Sequence, residues 1–119
     1  MSRGNNDFFG FFIKHIMTKN DVKELQALRQ TKGRKERGIF AVEGNKLVEE
    51  LMNSQFRVNN VFATEQWIEK NPVLAKKIAD YEIITPKQME QVSNFVTPPG
   101  VFATAMMPKY KIEPKDADN

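Results

Sequence analysis

The sequence predicts an α/β domain, with a sheet of about four strands covered by helices on both faces. Three observations predict it. Short apolar runs at residues 39–42, 58–64, 81–84 and 101–107 alternate with amphipathic segments. A strong helix start, Thr85 with Pro86 and Gln88 behind it, opens one of those segments directly after an apolar run. A length of 119 residues with 40% hydrophobic content suits one compact domain with a core of modest size.

The chain opens on its most apolar stretch, FFGFFIKHIM at residues 8–17. That is far shorter than the roughly 20 residues a membrane helix needs. It also lacks a basic start followed by a small-residue cleavage site, so no signal peptide is expected. Organised pattern begins at Thr18. Residues 1–17 are therefore read as an extension that is either packed or disordered, or else Met17 is the natural start and residues 1–16 are an upstream addition. The preferred reading is the second.

From there, Val22, Leu25 and Leu28 recur at helical spacing, with Thr18 or Asn20 as N-cap. A basic loop is expected over residues 31–38. IFAV, residues 39–42, is a continuous apolar run and reads as a strand buried on both faces. In the next segment Leu47, Val48, Leu51 and Met52 share one helical face and Glu49 and Glu50 the other. VNNVFAT, residues 58–64, is the second strand. The helical segment after it carries Trp67, a core candidate, and is either broken by Pro72 or restarted by it. Residues 81–84 form the third strand, a capped helix starts at Thr85, and residues 101–107 form the fourth. Any parallel crossovers should be right-handed, and one strand is allowed to be antiparallel. The folded unit is thus residues 18–108, and residues 109–119, with Pro108 just before them, Pro114 within them and mixed charge, read as a linker or tail.

Composition removes several function classes. There is no cysteine, so disulfides, thiolate zinc sites and cysteine nucleophiles are excluded. The single histidine, His15, supports no histidine-rich metal site and no Ser-His-Asp triad, and Asp116 and Asp118 lack metal-ligand spacing. The lack of cysteine fits a cytoplasmic protein. A net charge of +3 favours anionic partners mildly.

Three elements carry chemistry. The first is the basic segment with Arg29, Lys32, Arg34, Lys35 and Arg37, in which Glu36 is the only acid and Gly33 and Gly38 permit bending. Clustered like charge is either solvated or neutralised, and phosphate is the natural partner because each neutralised phosphate releases a counterion. The second is VEGNKLVEE, where Gly44 marks a strand-to-helix turn and Asn45 and Lys46 occupy the first turn of a helix. Glu43 there either caps the helix or holds a basic residue; a catalytic base is disfavoured because no partner residues support it. The turn matches neither a P-loop nor a dinucleotide fingerprint. The third is SNFVTPPGV, residues 93–101. Phe95 either stacks on an unpaired base or tucks into the core, while Pro98 and Pro99 stiffen the loop. In an alternating sheet the loops after the first strand and before the fourth can meet at one end.

Taken together, these residues resemble a known family. GIFAVEGNKLVEEL is similar to the start of the substrate-binding domain of SpoU/TrmH-type RNA 2′-O-ribose methyltransferases, through Phe40, Val42, Glu43 and Gly44 and then Val48, Glu50 and Leu51. FATEQW at residues 62–67 and the turn Thr97, Pro98, Gly100 and Val101 continue the likeness in the same order. It covers about residues 18–108. The resemblance implies a three-layer α/β/α sandwich with the fold of small ribosomal and kink-turn-binding proteins, used to recognise structured, usually ribosomal, RNA. It implies S-adenosylmethionine and homodimerisation for a separate knotted catalytic domain, and no cofactor, catalytic residue or metal in this chain. The tail at residues 109–119 would then lead towards that domain. Residues expected to touch RNA are Arg29, Lys32, Arg34, Lys35, Arg37, Asn45, Lys46 and Phe95, on a turn framework of Glu43, Gly44, Thr97, Pro98 and Gly100. The alternatives are a stand-alone kink-turn-type RNA binder and a module whose basic segment meets an acidic protein.

Overall fold

Four strands form one mixed sheet in the order β1-β4-β2-β3. The computed structural model describes residues 17–108. In chain order the elements are α1 (Lys19–Ala27), α2 (Thr31–Arg37), β1 (Ile39–Glu43), α3 (Asn45–Met52), β2 (Val58–Ala63), α4 (Glu65–Lys70), α5 (Pro72–Ile78), β3 (Glu82–Ile83), α6 (Pro86–Val92) and β4 (Val101–Met106). β4 runs antiparallel to both neighbours, from Ile39↔Met106 to Glu43↔Phe102 on one side and from Val58↔Ala105 to Ala63↔Val101 on the other. β2 and β3 are parallel. β4 is therefore the one reversed strand.

Strand alternation builds the three layers. On β4, Val101, Ala103 and Ala105 point to one face, where Val48 and Leu51 of α3, Trp67 of α4, and Ala75 and Ile78 of α5 close over them. Phe102 points to the other face and meets Met89 and Val92 of α6, with Val22 and Leu25 of α1 packed alongside. Burying a side chain such as Met89 or Val92 contributes about 1.5–3 kcal/mol, and both are 1% exposed.

Local signals explain the boundaries. Thr18, rather than Asn20, caps α1: its hydroxyl accepts from Asp21 N–H at 3.1 Å while Asp21 accepts from Thr18 N–H at 2.9 Å. Thr85 and Gln88 form the same reciprocal box on α6, with Pro86 in the first turn. Pro72 starts α5, and Asn71 joins it to α4.

Three expectations need correction. The basic segment is not a loop. Residues 31–37 form α2, because Lys, Arg and Glu are good helix formers, its basic residues cluster in the last turn, and Gly38 ends it in the left-handed conformation. IFAV is not buried on both faces; β1 lies at the sheet edge and residues 39–42 are half-buried. The doubly buried strand is β4, placed centrally. The third strand is shorter than YEII, with only Glu82 and Ile83 paired. The readings of residues 1–16 and 109–119 lie outside the described residues.

Candidate nucleic-acid interface

The loop after β1 and the loop before β4 meet at one end of the sheet. Gly44 N–H donates to Val101 O at 3.0 Å, and the Pro99 ring lies against Gly44, where an added Cβ would be 3.8 Å away. Gly44 has φ +97°, a backbone that side-chain-bearing residues rarely adopt, and this turns the chain from β1 directly into α3. α3 starts with no side-chain cap.

Glu43 ties the two loops together. It is 7% exposed, and its Oε1 accepts from Asn94 N–H at 2.9 Å. Its Oε2 is buried without a hydrogen-bond partner among the described residues. Glu43 thus neither caps α3 nor holds a basic residue. It fixes the start of loop 93–100. On the far side of that loop, Arg29 Nη2 donates to Ser93 O at 3.0 Å and to Gln91 O at 3.1 Å. Ser93 Oγ accepts from Phe95 N–H at 2.9 Å. The loop is therefore held from β1, from the turn between α1 and α2 and from within, and it carries Phe95, 54% exposed, and Val96, fully exposed. Phe95 does not tuck into the core. Thr97 is exposed, Pro98 is half-buried, and Gly100 O accepts from Thr64 N–H at 3.1 Å.

The cations singled out in the sequence fall into two groups. The arginines are engaged within the protein. Arg34 donates to Leu28 O and to Thr31 Oγ1, each at 2.9 Å. Arg37 grips Glu24 through Nε at 2.7 Å and Nη2 at 3.3 Å. That hydrogen bond, reinforced by the opposite charge, lowers the Glu24 carboxyl below its usual range and raises the Arg37 guanidinium. Lys32, Lys35 and Lys46 are exposed and have no hydrogen-bond or ion-pair partner among the described residues. Asn45 is anchored too: its Oδ1 accepts from the buried Trp67 indole at 2.8 Å and its Nδ2 donates to Asn71 Oδ1 at 2.8 Å. No group of acidic or histidine side chains suited to a metal ion occurs among the described residues.

The profile of the MRM3-like substrate binding domain matches residues 19–103. The chain belongs to this family. An uncharacterised tRNA/rRNA methyltransferase of Synechocystis sp. is 34% identical over 93 residues, which span 75% of this chain and 34% of the relative. A solved TrmH-family RNA methyltransferase of Porphyromonas gingivalis superimposes with TM-score 0.58 at 26% identity, over 78% of this chain and 36% of its own. The SpoU methyltransferase AviRb of Streptomyces viridochromogenes, solved with AdoMet, shares the fold, with TM-score 0.60 at 19% identity over 77% of this chain and 37% of its own. The resemblance to SpoU/TrmH enzymes read from the sequence is thereby borne out. As a member of the MRM3-like substrate-binding family, the chain spans about a third of the length of these relatives.

Sequence reasoning missed the Glu43–Asn94 bond and the carbonyl bonds of Arg29. Neither has a local signal, since each joins residues more than fifty positions apart.

Proposed function

We propose that this chain is the RNA-recognition domain of an S-adenosylmethionine-dependent RNA 2′-O-ribose methyltransferase of the SpoU/TrmH type, acting on structured ribosomal RNA in the cytoplasm. Within the whole enzyme, a separate catalytic domain would bind the methyl donor and form the homodimer. One observation carries the reading for this chain: a rigid, clasped loop presents an exposed aromatic ring at the sheet end where an uncapped helix start and Lys46 lie, with Lys32 and Lys35 on the neighbouring α2. Cations that face solvent without partners position a phosphate backbone and carry little sequence information. An exposed phenylalanine supplies a π-face for an unpaired base. Arg29, Arg34 and Arg37 are held by protein acceptors, yet Arg29 and Arg34 keep unused N–H donors for the same backbone.

The test is the salt dependence of binding to a structured ribosomal RNA fragment, followed by fluorescence anisotropy. Replacing Lys32, Lys35 and Lys46 by Gln should reduce the slope of log K against log salt by about 2–3, roughly one for each phosphate that is no longer neutralised. An unchanged slope removes the lysines from the interface. Absence of binding by the native chain removes the RNA reading itself.

A further inference from the structure

The space beneath the α1–α2 hairpin bears on which feature of an RNA is held. A cavity of about 330 Å³ lies between that hairpin, the edge strand β1 and loop 93–100. That is near the lower end of the roughly 300–1,000 Å³ typical of small-molecule sites, room for one nucleotide rather than several. Leu28, Val92 and Phe102 are its buried floor, and Ala41 leaves it open where a larger residue on β1 would fill it. Arg29, Arg34 and Asn94 line it as polar groups, and Arg29 and Asn94 are exposed.

The lining has a division of labour that a packing flaw lacks. A dry internal void is apolar throughout. Here two guanidiniums share the cavity with one aromatic ring, Phe102. Each guanidinium is fixed by two hydrogen bonds to protein oxygens, Arg29 to Gln91 and Ser93, Arg34 to Leu28 and Thr31. Of five N–H donors on each, the rest remain available. Held guanidiniums of this kind match phosphate oxygens in a geometry that a lysine lacks. The similar-sized cavity of about 340 Å³ further along α1 offers a contrast: among the described residues Asp21 and Glu24 line it with Arg37, and Glu24 already pairs with that arginine.

We infer that the cavity under α1 and α2 receives one unstacked nucleotide of the bound RNA, with its base against Ala41 and Phe102 and its phosphate on Arg29 and Arg34. This rests on the RNA reading above and narrows it. The preferred substrate carries a bulged or looped-out nucleotide, and a continuous duplex lacks the group that fills the site. Loop 93–100 forms part of the wall through Asn94, which Glu43 holds in place.

The test compares two RNA hairpins of the same stem. One carries a single bulged 2-aminopurine, and the other is fully paired. The native chain should prefer the bulged hairpin by about tenfold, within what one stacked base contributes, and binding should change the 2-aminopurine fluorescence. Ala41→Leu fills the cavity while leaving every cation and Phe95 in place. It should abolish both the preference and the fluorescence change. Ala41→Val, a smaller change that suits a strand, keeps the test available if Ala41→Leu fails to fold, with circular dichroism as the check. Equal binding of both hairpins by native and substituted chains, with unchanged fluorescence, overturns the nucleotide site and leaves RNA binding intact. Failure of the native chain to bind either hairpin overturns the RNA reading, and this inference with it.

Discussion

Gly33 gives the sharpest test of how the basic helix is seated. It is buried in α2, against the end of α1. A Cβ added there would lie 2.0 Å from Ala27 O and 2.8 Å from Ala27 C. Two effects of Gly33→Ala oppose each other. Alanine favours a helix interior over glycine by roughly 0.8–1 kcal/mol. Against that, the new methyl meets backbone rather than the movable end of a side chain, and Ala27 O already accepts from Gln30 N–H at 3.2 Å. Relieving the overlap requires the α1–α2 junction to open, and such overpacking costs about 1–3 kcal/mol or more. The clash should win. The expected outcome is a net destabilisation of about 1–2 kcal/mol, or a fall in Tm of several degrees for a domain of this size. Urea denaturation followed by circular dichroism measures the first, a thermal scan the second. A variant as stable as the native chain, or more so by the propensity difference, would refute the close seating of α2 on α1.

Three further outcomes follow from the same geometry. Asn45→Ala removes the acceptor of the buried Trp67 indole and should destabilise by about 1–3 kcal/mol, with a shift in tryptophan emission as the local readout; unchanged emission would count against the bond. Glu43→Ala leaves Asn94 N–H unpaired, at a similar cost, and should speed amide exchange across loop 93–100, whereas Glu43→Gln keeps an acceptor and should do so less. The Glu24 carboxyl is lowered from 4.5 chiefly by its hydrogen bond to Arg37, so the stability it contributes is full above 4.5 and is lost as pH falls through the depressed folded value. The effect should be small and salt-sensitive because the pair is exposed, and Glu24→Gln should flatten the acid limb of a stability-against-pH curve.

Much of the fold is legible in the sequence where the signal is local. The Thr85, Pro86 and Gln88 start, the Pro72 break and the apolar run at residues 101–107 all read correctly, because caps and periodicity act over a few residues. The meeting of the two loops was also legible, since strand alternation places them at one end. What failed was long-range. IFAV looks like a central strand, but centrality is decided by which strand inserts beside it, and β4 takes that place. The basic run looks like a repelled loop, yet Arg37 finds Glu24 on the preceding helix and Arg34 finds Leu28 O, so much of the charge is neutralised or bonded as the helix forms. The exposure of Phe95 was undecidable from its neighbours, because the Glu43 and Arg29 anchors that hold its loop lie far away in sequence.

The central place of β4 also governs the birth of the domain. Within the described sheet β1 has one hydrogen-bonded neighbour, β4, and β2 has otherwise only the two-residue β3. A nascent chain that has emerged through β3 therefore holds a strand with no mate and an open apolar gap. Closure waits until the stretch ending at Met106 leaves the ribosome. Non-local pairing of this kind slows folding and leaves strand edges open to other chains in the interval. A ribosome stalled a few codons short of β4 should thus display a protease-sensitive chain, and one stalled well past it a resistant domain.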